Sequence, residues 1–232
     1  MRLPGCFMVG DPDQPIARAS PSRAAFGLPE NAVVFCAFHQ TAKIHPAVMT
    51  AWLAILAAVP DSVLWLKAPG SEPRRRWAGT AASAGIDPAR LVYAPNVADK
   101  HTHVERIAAA DLFLDTFERY GGHSTINEAL WAAVPVVTVA GEGFAARVAA
   151  SLLHAAGVPE LAFESVAAYV DAAVRLSRDA QARNALRQRL VTARSTAPLF
   201  DTAATVRHIE AAYEAMWARH AAGLPPAAID IP

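Results

Sequence analysis

Cysteine is scarce, with only Cys6 and Cys36 in 232 residues. Two thiols in a chain this long make no disulfide framework, and neither has neighbours at metal-ligand spacing, so no structural metal is expected and a reducing compartment fits. Net charge is missing too. The 21 Lys and Arg balance the 21 Asp and Glu, with a pI near 7.1, so no basic field marks a nucleic-acid surface. No run of about 18 apolar residues is free of charge and proline, so no membrane span is expected. Pro4, Asp11, Pro12 and Asp13 interrupt any apolar segment of a signal peptide, and a cytoplasmic protein is expected. There is no Gly-x-x-x-x-Gly-Lys-Ser/Thr loop and no Gly-x-Gly-x-x-Gly after the first strand, which disfavours P-loop hydrolases and dinucleotide dehydrogenases. No Ser/His/Asp order and no carboxylate pair stands out from the background.

What the chain does have is 53% hydrophobic residues in a regular alternation. Residues 1–30 are rich in Pro, Asp, Arg and Ser and show no sustained period, which reads as a linker or the tail of another domain. From Asn31 short β-branched runs and amphipathic helical stretches alternate. Strands are expected at 33–38, 62–67, 91–94, 112–115 and 134–139, with a short one near 161–163. Helices are expected at 46–59, from Pro69-Gly70 to about 84–85, at 100–110, after Gly122, and at 145–156. Strands alternating with helices of this length predict βαβ units and a doubly wound parallel sheet, an α/β class. Three further helices follow at about 165–178, 179–194 and 202–222, and 223–232 reads as a frayed tail.

In open parallel sheets ligands sit outside the carboxyl ends of the strands. Three loops there carry chemistry. After the first strand come Gln40 and Lys43; a loop lysine is often merely solvated, yet this one could neutralise a diphosphate. After the third strand Lys100, His103 and Arg106 recur at i, i+3, i+6, either a solvated face or a set of cations around an anion. After the fourth strand Gly121-Gly122-His123-Ser124-Thr125 opens a helix. Its free amides and partial positive charge suit a phosphate, although Thr125 and Glu128 also have the spacing of a capping box. Glu128, one turn further, could accept hydrogen bonds from ribose hydroxyls. Together the three loops suit a nucleotide diphosphate.

Several blocks are distinctive: Phe35-Cys36-Ala37-Phe38-His39-Gln40-Thr41-Ala42-Lys43-Ile44, Val59-Pro60-Asp61-Ser62-Val63-Leu64-Trp65-Leu66, Gly121-Gly122-His123-Ser124-Thr125, Ala145-Ala146-Arg147-Val148-Ala149-Ala150-Ser151-Leu152, Ala197-Pro198-Leu199-Phe200-Asp201 and Tyr213-Glu214-Ala215-Met216-Trp217-Ala218-Arg219-His220. They resemble the catalytic region of the protein O-GlcNAc transferases and SPINDLY-type enzymes, glycosyltransferase family 41, from about residue 20 onward. The resemblance implies the Rossmann-like, donor-binding C-terminal domain of a GT-B glycosyltransferase with extra C-terminal helices. It further implies a UDP-sugar donor, UDP-GlcNAc foremost, a protein acceptor, and no metal or other cofactor. By position, Gln40 and Lys43 would meet the diphosphate, with Lys43 the essential lysine. Ala98, Lys100, His103 and Arg106 would line the uridine, His123, Ser124 and Thr125 would bind phosphate, and Glu128 would contact ribose. One departure is local: the family more often has Asn-Gly-His or Asn-Ala-His, where this chain has Tyr120-Gly121-Gly122-His123 with the turn one residue longer. Another is global: the chain is expected to begin where the family's N-terminal catalytic domain is ending, so a separate N-terminal half with tetratricopeptide repeats is an expected partner. The rival expectation is a module that holds the nucleotide sugar without transferring it.

Overall fold

The computed structural model describes residues 1–14, 16 and 22–232. Six strands form one parallel sheet: β1 (Val33–Ala37), β2 (Ser62–Lys67), β3 (Leu91–Ala94), β4 (Leu112–Leu114), β5 (Val136–Val139) and β6 (Ala162–Phe163), in spatial order β3-β2-β1-β4-β5-β6. The crossovers are α1 (Pro46–Ala58), α2 (Ser71–Ser83), α3 (Lys100–Ile107), α4 (Ser124–Trp131) and α5 (Phe144–Ala155). Then come α6 (Val166–Arg178), α7 (Ala180–Thr196) and α8 (Thr202–Ala221). The apolar strands fit this arrangement because a parallel sheet covered by helices is buried on both faces. Val34 to Ala37 of β1, all of β4 and all of β5 are buried.

Local chemistry moves a few boundaries. The fifth strand begins at Val136 rather than 134, because Pro135 has no N–H to give the ladder and Ala133 already turns with φ 57°. The helix expected over 100–110 stops at Ile107, after which Ala108, Ala109 and Ala110 close i→i+3 turns onto Glu105, Arg106 and Ile107. The first strand ends at Ala37, one residue early.

The segment before β1 is anchored by one arginine. Arg23 donates to the carbonyls of Ala109, Glu30 and Ala32 and pairs with Asp111 at 2.7 Å, tying a 3-10 turn at Arg23–Phe26 to the amino ends of β1 and β4. At the far end of the chain, the Arg2 amide donates to the Ile229 carbonyl and its side chain pairs with Asp230. Gly10 packs where a Cβ would lie 2.3 Å from the Phe200 ring, so the opening residues run against the start of α8.

The strand order reverses between β1 and β4. At that point the loops leaving their carboxyl ends diverge to opposite faces of the sheet and open a crevice. Beneath it the core is stitched by a polar line: Trp52 Nε1 of α1 donates to Tyr169 of α6 at 2.9 Å, and the Tyr169 hydroxyl donates to the Asp115 carbonyl at 3.1 Å.

Candidate functional site at the sheet switch point

β4 ends at Leu114, and the next residue, Asp115, is fully buried. The chain then turns through Glu118, at φ 69°, and Tyr120, whose carbonyl accepts from Thr116 Oγ1 at 2.8 Å. It returns at Gly121 and Gly122. Here glycine is required: a Cβ on Gly122 would lie 2.5 Å from Ile126 and 2.9 Å from Asp115 Oδ1, and one on Gly121 would lie 3.2 Å from Asp115 Oδ2. The Gly121 amide donates to the Ala145 carbonyl at 3.0 Å and the Gly122 amide to Asp115 Oδ1 at 2.6 Å.

α4 starts directly after this turn. Its N-cap is His123, which makes no side-chain capping bond, so Thr125 lies inside the first turn and the capping box that its spacing with Glu128 allows does not form. The amides of Ser124 and Thr125 therefore face the crevice mouth with neither an intrahelical acceptor nor a side-chain cap, a ready anion site.

Lys43 comes from the opposite lip. It closes a 3-10 turn, Thr41–Lys43, with exposed Gln40 as its N-cap, and its Nζ donates to the Gly121 carbonyl at 3.1 Å. The lysine thus spans the switch point from the β1 loop to the β4 loop. An ammonium has three N–H donors, so two stay free for an anion above the turn.

The third loop behaves differently from its spacing. α3 is capped by Asp99, whose carboxylate accepts from the Thr102 amide and hydroxyl at 2.7 Å, and Ala98 lies exposed just before it. Lys100 is exposed, 3.9 Å from Asp11. His103 Nε2 sits 3.3 Å from Glu128 of α4, while its Nδ1 is 2.8 Å from the Arg106 guanidinium. Since arginine can only donate, the ring accepts from Arg106 and presents N–H to Glu128. Arg106 is not on the cationic face. It is 2% exposed, donates to the Pro95 carbonyl at 2.6 Å and lies over the Phe38 ring at 4.7 Å. Six residues along a helix are 600° of rotation, 120° short of two full turns, so i+6 leaves the face that i and i+3 share. Arg106 supports His103 from below, and His103 in turn orients Glu128.

Two site residues carried no signal in the sequence. His39 is buried, and its Nε2–H donates to the Leu114 carbonyl at 3.1 Å, 3.6 Å from Asp115 Oδ1. Burial pulls its pKa down to about 4, so the ring is neutral at pH 7 and the contact is no ion pair. Burial pushes the Asp115 carboxyl up to about 7, against the lowering effect of its bonds from Thr138 and Gly122. His123 is lowered by burial and by Lys43, and its Nε2 is buried without a partner among the described residues. A histidine following β1 and an aspartate following β4 look in sequence like ordinary turn residues; only strand adjacency brings them together.

The site thus has one lysine, one uncapped helix start and a Glu-His-Arg relay around a sheet switch point. The family model for glycosyl transferase family 41 matches residues 11–209. The chain belongs to that family. Among curated members, a Caenorhabditis elegans UDP-N-acetylglucosamine--peptide N-acetylglucosaminyltransferase is 41% identical over 207 residues, 88% of this chain and 18% of that protein. The Arabidopsis thaliana protein SEC, named a probable enzyme of the same kind, is 35% identical over 97% of this chain and 24% of its own length. This family 41 chain therefore spans about a fifth to a quarter of those two relatives. A Thermobaculum terrenum O-GlcNAc transferase, solved as a lysine-to-methionine mutant, superposes with a TM-score of 0.84 at 29% identity, covering 94% of this chain and 41% of that one. The lipopolysaccharide glycosyltransferase WaaG, with a TM-score of 0.62 at 16% identity over 86% of this chain and 54% of its own, shares the fold. The doubly wound sheet is accordingly the Rossmann-like domain of GT-B glycosyltransferases. No helix among the described residues is long and apolar enough to cross a membrane.

Proposed function

We propose that this chain is the donor-binding part of a protein O-GlcNAc transferase, holding UDP-GlcNAc at the β1/β4 switch point for transfer to serine or threonine hydroxyls. The observation that carries this is Lys43 reaching Gly121 beside the uncapped start of α4: a cation and free amides converge where a family 41 chain needs to hold a diphosphate. The names of the curated relatives, which specify UDP-N-acetylglucosamine and a peptide acceptor, support the choice of sugar and acceptor.

In this reading the diphosphate lies over the Gly121 to Thr125 turn, with Gln40 at the rim and His123 at the turn. The nucleoside runs toward Ala98, Lys100 and His103, where Glu128, held by His103, accepts from the ribose. During transfer the bond from the sugar's anomeric carbon to the β-phosphate oxygen breaks and a bond to the acceptor oxygen forms. The acceptor hydroxyl gives up its proton to solvent water, and the electron pair of the broken bond stays on UDP. Lys43 and the α4 amides stabilise that charge as it develops, from fixed positions that need no reorganisation. Lysine and helix terminus supply the positive charge without a metal ion. The acceptor must be held against the anomeric carbon from above the strand ends, so the protein acceptor and the opposing wall of the cleft, an N-terminal catalytic half, are the partners this reading requires.

Calorimetric titration with UDP, UDP-GlcNAc and GDP-fucose tests the proposal. UDP and UDP-GlcNAc should bind and compete, GDP-fucose should bind far more weakly, and absence of binding by either uridine ligand would end the reading.

A further inference from the structure

Beneath the turn that would carry the diphosphate sits a buried carboxyl that the proposed ligand contacts do not use. Asp115 accepts from the Gly122 amide with Oδ1 at 2.6 Å and pairs with the Thr138 hydroxyl of β5 through Oδ2 at 2.7 Å. Its own amide is held by the Val137 carbonyl and its own carbonyl by Tyr169. The glycines fit so closely over the carboxyl that a side chain at Gly122 would meet Oδ1. The aspartate therefore fixes where the turn lies relative to the sheet, and through the turn where Ser124 and Thr125 present their amides.

The groups that face it decide its charge. From the loop after β1 come His39, kept neutral by burial, and Lys43; from β5, the Thr138 hydroxyl; from α6, the Tyr169 phenol, whose burial holds it neutral. From the turn itself come the Gly122 N–H and the His123 ring, the latter held below its usual value. Among the described residues no full countercharge is bonded to Asp115, and its partners, the Gly122 and Thr116 amides and the Thr138 hydroxyl, tolerate either protonation state. The Gly122 amide donates to Oδ1 in both, while the Thr138 hydroxyl donates to the carboxylate or accepts from the acid.

We propose that Asp115 is the positioning residue of the diphosphate turn and that it takes up a proton when UDP-GlcNAc binds. This rests on the donor-binding reading. A diphosphate laid on the far side of one turn brings negative charge toward a buried carboxyl, and like charge favours the neutral form. Burial pushes the carboxyl up to about 7 without ligand, so near neutral pH a share of the molecules has a proton to gain. The sign follows: affinity is highest below pH 7 and declines as pH rises through the free and then the bound titration range of the carboxyl. The protonated acid leaves the turn's own hydrogen bond intact and removes the repulsion beneath the ligand.

UDP-GlcNAc is the suitable probe because its diphosphate is a diester and does not itself titrate near neutrality. Titration at pH 7 in buffers of different ionisation enthalpy should show uptake of up to about half a proton by the parent chain. Asp115→Asn keeps both hydrogen bonds, its amide donating to Thr138, and should bind with no such uptake and with affinity flat from pH 6 to 8. Thr138→Val, which leaves Oδ2 unpaired and the acid already favoured, should also shrink the uptake and serves where the asparagine variant does not fold. Uptake that persists unchanged in both variants, or is absent from a parent that binds, overturns the inference. Failure of the parent to bind either UDP or UDP-GlcNAc instead overturns the donor-binding reading.

Discussion

Lys43 makes one hydrogen bond within the protein and has two donors to spare, so its value lies in what it does for a ligand. Replacing it with methionine keeps the stem and removes the charge. If it meets the diphosphate, UDP affinity should drop by about tenfold to a hundredfold, the equivalent of one charge-assisted contact at roughly 1.5–3 kcal/mol. A folded Lys43→Met protein with the parent's affinity would reduce the lysine to a tether for Gly121. The His39 and Asp115 pair supports a second expectation, on stability. His39, lowered to about 4 from 6.5, is a group the native state prefers neutral, so it makes stability rise with pH between those values. Asp115, raised to about 7 from 3.8, is a group the native state prefers protonated, so it makes stability fall with pH across that range. From about pH 4 to 6.5 the two slopes oppose one another, one proton each. Removing either partner should unmask the other. Relative to the parent, as pH rises from about 4 to 6.5 Asp115→Asn should gain and His39→Gln should lose stability, each by about 3 kcal/mol at most. Denaturant midpoints measured across pH on all three proteins check this; identical profiles would show that the pair is not the source.

The element on which the site turns is α4, eight residues long with its first turn left open to the crevice. Thr125 does not cap it, so Thr125→Ala should cost less than about 0.5 kcal/mol of stability, in the range of substitutions that break no cap, cavity or buried bond. Its effect should appear in UDP affinity if the start of the helix meets phosphate. Glu128 is another matter, because its partner His103 is fixed by Arg106. Glu128→Ala should weaken UDP binding through the lost ribose acceptor and leave His103 with Arg106 as its one hydrogen-bond partner among the described residues. Melting temperature and UDP affinity taken on the same samples separate the two roles. A fall in melting temperature with unchanged affinity per folded molecule would mean that Glu128 serves the α3–α4 contact alone.

At the scale of the whole molecule, the alternation of strand and helix was legible because each strand is buried on both faces and reads as a short apolar run, whereas helices show a wider period. Which strands lie side by side was not legible. β1 pairs with β4 across some 75 residues of chain, and no local pattern records that neighbour; His39 and Asp115 became a site only through it. The loops that carry Lys43 and the α4 start are legible because strand ends are where ligands bind, whereas the i+6 spacing does not reveal that Arg106 lies buried against His103 rather than on the outer face. The last three helices were legible as elements, yet composition could not say how firmly each is held. α6 buries Tyr169, Ala172, Ala173 and Leu176, and α7 buries Leu186 and Leu190. In contrast, α8, 20 residues long, buries Ala212 alone. Val206, Tyr213 and Trp217 stand exposed along it, Trp217 at 70%. Most of a helix's stability in a protein comes from packing one face against its neighbours, which α8 largely lacks, and local opening follows the weakest contacts. Amide exchange on the 232-residue chain should therefore rank α8 far below β1 and β4, its amides exchanging near the rate of a frayed peptide while the central strands exchange only on global unfolding. Protection of α8 equal to that of β4 would show that its exposed aromatic side is covered in solution.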